Sequence, residues 1–328
     1  MYYLREQDSS IEEICYEQEH IDKVWEEMKQ IIPDYFQRYI DTEGGHAIQD
    51  SEAEKLAEKF GSTSKPKNKS KDAKQILERL LKEKIADFEK ERQLYQDILD
   101  LESLEEYKHD VNSFKNTILK NQIPIIRKTL QNKQAKELDK FRAAFNKAQP
   151  GHLFEVTSNI IKLANEWRNE WYDGKEFEKI DTYEDLGYDA FDGEDYVVRG
   201  VIGGGIKSNF IFKLFPEMYP SRSREAVWAL YYLSSKKKFG CKEDSQFLMI
   251  NVDEGTTQQN YFYPYSLFAF YALRIFNKLK ELYAKHGISL PIEYRFATVD
   301  AFLSFVSRSH QDEINVLKQN SQNYHYDY

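Results

Sequence analysis

Apolar positions recur every three or four residues through most of this chain, and that spacing predicts helices. Ile11, Ile14, Ile21, Val24 and Met28 keep it as far as Ile31, and Pro33 is expected to end the run. Gly44-Gly45 marks a loop, and a short helix is expected from Ser51 to Phe60. A long stripe then starts at Leu77 and passes through Leu81, Ile85, Phe88, Tyr95, Ile98, Leu101 and Leu104. Tyr107, Val111, Phe114 and Ile118 continue it. One apolar seam on a helix is the condition for coiled-coil packing. Asn121 to Pro124 interrupts the stripe, because proline donates no backbone hydrogen bond and crowds the preceding turn. A second helix, with Leu130, Leu138, Phe141 and Phe145 on one side, is expected to reach Lys147. Two helices about a break predict an antiparallel hairpin, either an arm that touches a protein partner, nucleic acid or a second copy of the chain, or a helical bundle packed on the C-terminal domain.

The pattern changes at Pro150-Gly151, which is expected to break the chain. Leu153 to Tyr172 follows as an amphipathic helix, and Asp173 to Asp195 reads as an acidic loop. Tyr196 to Ile202 fits a short strand, Gln246 to Val252 fits the best strand of the chain, and Ile292 to Ala297 a further one. Ile206 to Leu214, Arg222 to Leu233, Tyr265 to Tyr283 and Val299 to Leu317 read as helices. The expected fold class is therefore mainly α with a small β element. N-terminal helices (1–60), a flexible linker (61–71) and a helical hairpin arm (72–150) would precede a compact, aromatic-rich α+β domain (151–328).

Composition narrows the function classes. Hydrophobic residues make up 41% of the 328 residues, enough for a sizeable core. Cys15 and Cys241 form neither a disulfide framework nor a zinc pattern. The most apolar segment, Tyr261 to Phe276, contains Arg274 and is shorter than the ~20 residues a membrane span needs. The N-terminal MYYLREQDSS has no signal-peptide pattern, so a cytoplasmic protein without membrane contact is expected. The net charge of -9 argues against a uniformly basic nucleic-acid binder, yet it hides alternating blocks. Residues 111–150 carry nine basic residues against Glu137 and Asp139. Residues 173–195 carry ten acidic residues against Lys175 and Lys179. Such blocks either neutralise one another or present a basic face to a polyanion.

Four segments carry candidate chemistry. Gly200 to Ser208 approaches a phosphate-binding P-loop, but Ile206 separates Gly205 from Lys207, where the motif has Lys directly after Gly. Ser221 is expected to cap the helix that follows it, with Arg222 and Arg224 at an end whose dipole disfavours cations. Together with Lys207, Lys236, Lys237 and Lys238 they form a candidate phosphate-contacting patch, and its alternative partner is the 173–195 acidic loop. Thr256, Thr257, Gln258, Gln259 and Asn260 offer paired donors and acceptors suited to base edges or a peptide backbone. Asp253, Glu254 and Glu293, with Arg295 or Lys207, are the candidate carboxylates for a metal-dependent nuclease, the one reading that needs Mg²⁺. No histidine pair has metal-ligand spacing, and no nucleophile motif is present. The leading expectation is a non-catalytic binding or assembly protein that contacts nucleic acid or a protein partner. It needs no cofactor and no metal. The alternatives are an Mg²⁺-dependent phosphodiester-cleaving enzyme and, behind it, a nucleotide hydrolase with a degenerate P-loop.

Overall fold

The computed structural model describes residues 13–43, 69–237, 239 and 264–323. After a 3-10 turn at Glu13–Tyr16, helix α1 spans Gln18–Glu43. It runs straight through Pro33, against the sequence expectation. The residues beyond the proline explain why: Phe36 packs 5.1 Å from Tyr283 and Tyr39 5.3 Å from Phe305. Those contacts offset the hydrogen bond that proline forfeits.

The expected two-helix hairpin does not form. Helix α2 spans Lys69–Leu99, so Lys69 to Lys71 of the expected linker open a helix. Asp100 then caps α3 (Leu101–Tyr107), accepting from the backbone N–H groups of Glu102 and Ser103. Asp110 caps a single turn, α4 (Val111–Ser113), by accepting from Ser113 N–H. A π-helix, Phe114–Gln122, continues from it. Helix α5 (Pro124–Gln131), a 3-10 turn at Lys136–Leu138 and α6 (Asp139–Lys147) complete the segment. Aspartates at two internal caps break the seam, because each offers the backbone a bond that the running helix would not. The apolar stripe folds back on its own domain: Phe88 lies 5.0 Å from Phe212, and Phe114 5.3 Å from Phe154.

Pro150 opens a helix rather than breaking the chain. Helix α7 is Pro150–Glu170 with the proline in its first turn, where the missing N–H would have no partner anyway. Helices α8 (Gly204–Leu214), α9 (Arg224–Leu233), α10 (Tyr265–Lys285), α11 (Arg295–Arg308) and α12 (Gln311–Asn323) follow. No strand or sheet occurs among the described residues, so over those residues the expected α+β domain is corrected to a helical one. Tyr196 to Ile202 is a tight turn closed by one bridge, Val198 to Ile202, with Gly200 at φ +75°. Among the described residues it has no neighbouring strand to pair with. Ile292 to Ala297 is a 3-10 turn leading into α11, whose Phe296, Val299, Phe302, Leu303 and Val306 are buried at helical spacing. A short apolar run does not distinguish a strand from a buried helix end. The strand expected at Gln246 to Val252 lies outside the described residues.

Helix α10 is the centre of the core. Leu267 to Leu273 are fully buried on every side, the mark of a helix enclosed by others rather than lying on a surface. α1 and α11 cover it, and α11 packs in turn on α9 and α2. Among the described residues no helix is long and apolar enough to cross a membrane.

One carboxyl sits badly in this packing. Asp300 of α11 faces Lys213 of α8, but Glu91 of α2 holds that ammonium at 2.8 Å. Burial pushes the Asp300 carboxyl up to about 6; Lys213 opposes the rise, while Glu225 and Glu91 add to it. A raised carboxyl pKa stabilises the fold fully below the unfolded value near 4, and that stability is lost as pH rises through 6. Asp300→Asn should therefore raise stability by about 3 kcal/mol at pH 7.5 and by less than about 1 kcal/mol at pH 4. Urea unfolding at the two pH values checks this, and an equal shift at both would count against it.

Candidate functional site

The cations proposed from sequence divide into separate groups. The chain enters α8 through an extended Gly203, and Lys207, one turn in, points into the core at 2% exposure. Its ammonium donates to the Phe191 carbonyl and stands 3.6 Å from the Asp192 carboxylate. Burial pushes the Lys207 ammonium down, against the pull of Asp192. Burial pushes the Asp192 carboxyl up, against Lys207, Arg222 and the Tyr265 backbone N–H that it accepts. Arg222 is also buried, and its backbone N–H donates to Ser208 Oγ at 2.9 Å. Lys207 and Arg222 thus meet around Asp192, a member of the acidic stretch. No strand precedes the glycines, and the Lys207 side chain is turned away from the loop that a P-loop lysine would serve.

The cap of α9 is Ser223, which accepts from Ala226 N–H at 3.0 Å, not Ser221 as expected. Arg224, the first helical residue, is exposed. Lys236 pairs with Glu313 and lies 5.1 Å from the centre of the Tyr232 ring. Lys237 pairs with Glu27 at 2.6 Å, and together with Ser235 it holds that carboxyl below the usual range. These two lysines tie the end of α9 to α1 and α12. Lys238, Asp253, Glu254 and Thr256 to Asn260 lie outside the described residues. Glu293 is exposed on the 3-10 turn before α11. Among the described residues no group of three His, Cys, Asp or Glu side chains is arranged to hold a metal ion.

A different set of cations remains uncommitted. Lys120, Lys133, Lys136, Lys140 and Lys147 are exposed, and none has a carboxylate within ion-pair range among the described residues. All five lie between the π-helix and the end of α6. Elsewhere lysines are mostly neutralised, for example Lys84 by Glu43, Lys128 by Glu91 and Lys280 by Glu178. The segment that carries the five is a folded platform. Buried Lys115 donates to the Asn146 and Ala148 carbonyls, fastening the π-helix to the end of α6. Arg142 donates to the Asn132 and Ala135 carbonyls and pairs with Asp139 at 2.7 Å. Arg127 donates to Asn121 O. Exposed amides, among them Asn116, Asn121, Gln122, Gln131 and Gln134, stand between the lysines. Sequence reasoning found the charge excess of this block but placed the candidate patch downstream. The signal was there in the ratio of nine basic to two acidic residues.

No family model matches the chain, and no curated protein or solved structure matches it either.

Proposed function

We propose that this is a non-catalytic binding protein that contacts a polyanion through the platform of residues 115–147. The observation that carries this reading is the concentration of unneutralised lysines on one folded segment, in a protein where most other lysines have carboxylate partners. Cations kept out of internal pairs remain available to phosphates, and the counterions they displace supply binding free energy. The overall charge of -9 sets a limit: acidic surface elsewhere repels a polyanion, so contact is confined to the platform and weakens steeply with salt.

Fluorescence anisotropy of labelled nucleic acid with the full chain, at 50 and 200 mM salt, tests the reading. Five phosphate contacts predict a loss of affinity of roughly 500-fold over that range, from a slope of about 0.9 per contact. Absence of binding at 50 mM salt would overturn the reading. Breakdown of the probe that needs Mg²⁺ would replace it with a catalytic one.

A further inference from the structure

Resting on the polyanion reading, we infer that the partner is double-stranded DNA rather than a single strand. Proteins that hold single strands without sequence preference stack bases on exposed aromatic rings, worth about 1–3 kcal/mol per base. The platform has no such ring. Phe145 is buried under the Lys115 ammonium, 5.6 Å from its centre, and Phe141 is half-buried against Phe145 with ring centres 6.3 Å apart. The exposed Trp171, at 75%, sits at the far end of α7. At 1.5 Å per residue that helix is about 30 Å long, which puts the ring out of reach of a base held at α6.

What the platform offers instead suits a duplex. Lys140 and Lys147 are seven residues apart on α6, two turns along one face and about 10 Å apart on the axis. Ala143, exposed between them on that face, holds nothing at a distance. The major groove of B-form DNA is about 12 Å wide, so two flexible lysines on this face can reach phosphates on both of its lips. Lys133 and Lys136 precede the helix on the segment that Arg142 holds against it, and add exposed charge beside that face. The major groove of A-form RNA is too deep and narrow to admit a helix face in this way.

The test compares four probes of matched length and label on the full chain: a 20-bp DNA duplex, its single strand, the corresponding RNA duplex and heparin. The expected result is at least tenfold tighter binding of the DNA duplex at 100 mM salt than of any other probe. The combined variant Lys136→Ala, Lys140→Ala, Lys147→Ala should weaken duplex binding at least 30-fold and flatten its salt slope by about three. These side chains are exposed and unpaired, so circular dichroism of the variant should match the parent. Single strand, RNA duplex or heparin bound as tightly as the DNA duplex would overturn the inference while leaving the polyanion reading in place. Duplex affinity unchanged in the variant would overturn the inference too. Failure of every probe to bind at 50 mM salt would remove the polyanion reading itself.

Discussion

Replacing Arg295 with alanine is expected to destabilise the fold by about 3–5 kcal/mol, the range for breaking a buried charge out of its partners. Arg295 is completely buried at the start of α11. Its guanidinium donates to the Glu217 carbonyl, to Tyr172 Oη at 3.2 Å, to Gly174 O at 3.0 Å and to Glu178 Oε1 at 3.2 Å. The Phe177 and Phe276 rings lie 4.8 and 5.3 Å from it. One side chain thus ties together α11, the end of α7, the first part of the acidic stretch and the loop after α8. Alanine would leave the Gly174 carbonyl and a Glu178 carboxylate oxygen without their donor, would leave the Glu217 carbonyl only the Tyr172 hydroxyl at 3.5 Å, and would add a cavity. Arg295→Lys should recover less than half of the loss, because an ammonium cannot reach four acceptors with a planar fork. Denaturant unfolding measures both variants. A loss under about 1 kcal/mol for alanine would show that water repairs the site.

Tyr188→Ala should cost a similar amount, about 3–5 kcal/mol, the usual price of removing a buried aromatic ring. Tyr188 is fully buried where the acidic stretch meets the core. Its ring stacks on Tyr265 at 5.6 Å and 20°, and touches Tyr219, Trp167 and Phe191. Its hydroxyl donates to the Met218 carbonyl at 2.8 Å. Tyr188→Phe separates the two contributions and should cost only about 1 kcal/mol, the net worth of one hydrogen bond. If the phenylalanine variant lost as much as the alanine one, the hydroxyl rather than the packing would be what holds this junction. The backbone before it is equally constrained. Gly187 has φ +65°, and a Cβ there would fall 2.2 Å from the Trp167 ring.

These two residues show why the core at this end was hard to read from the chain. Asp173 to Asp195 has ten acidic residues, and its outward side reads as solvated loop. Phe177, Leu186, Tyr188 and Phe191 do not recur at a helix or strand period, because the segment is a series of 3-10 turns. Irregular backbone gives its buried residues no common period. Arg295, likewise, reads in sequence as a partner for carboxylate chemistry, and only the packing of α7 and α11 makes it an internal tie. The reverse held for the helix Tyr265 to Tyr283, where the unbroken apolar run Leu267 to Leu273 marks a buried stretch wherever it is placed.

What the sequence determined by itself is local. Periodicity located the long helices, because spacing of three and four brings apolar side chains to one face whatever surrounds them. It also located the basic block at 111–150, since charge is read by counting. Tertiary structure decided the rest. Whether α1 survives Pro33 and whether Ile292 to Ala297 is strand or helix depend on contacts with distant residues. The same is true of the cations. Lys207 and Arg222 are drawn inward by Asp192, Lys236 and Lys237 are held by Glu313 and Glu27, and Lys120, Lys133, Lys136, Lys140 and Lys147 meet no carboxylate among the described residues. A charge is available to a partner only if the fold supplies no counter-charge, and counter-charges come from residues far away in the chain.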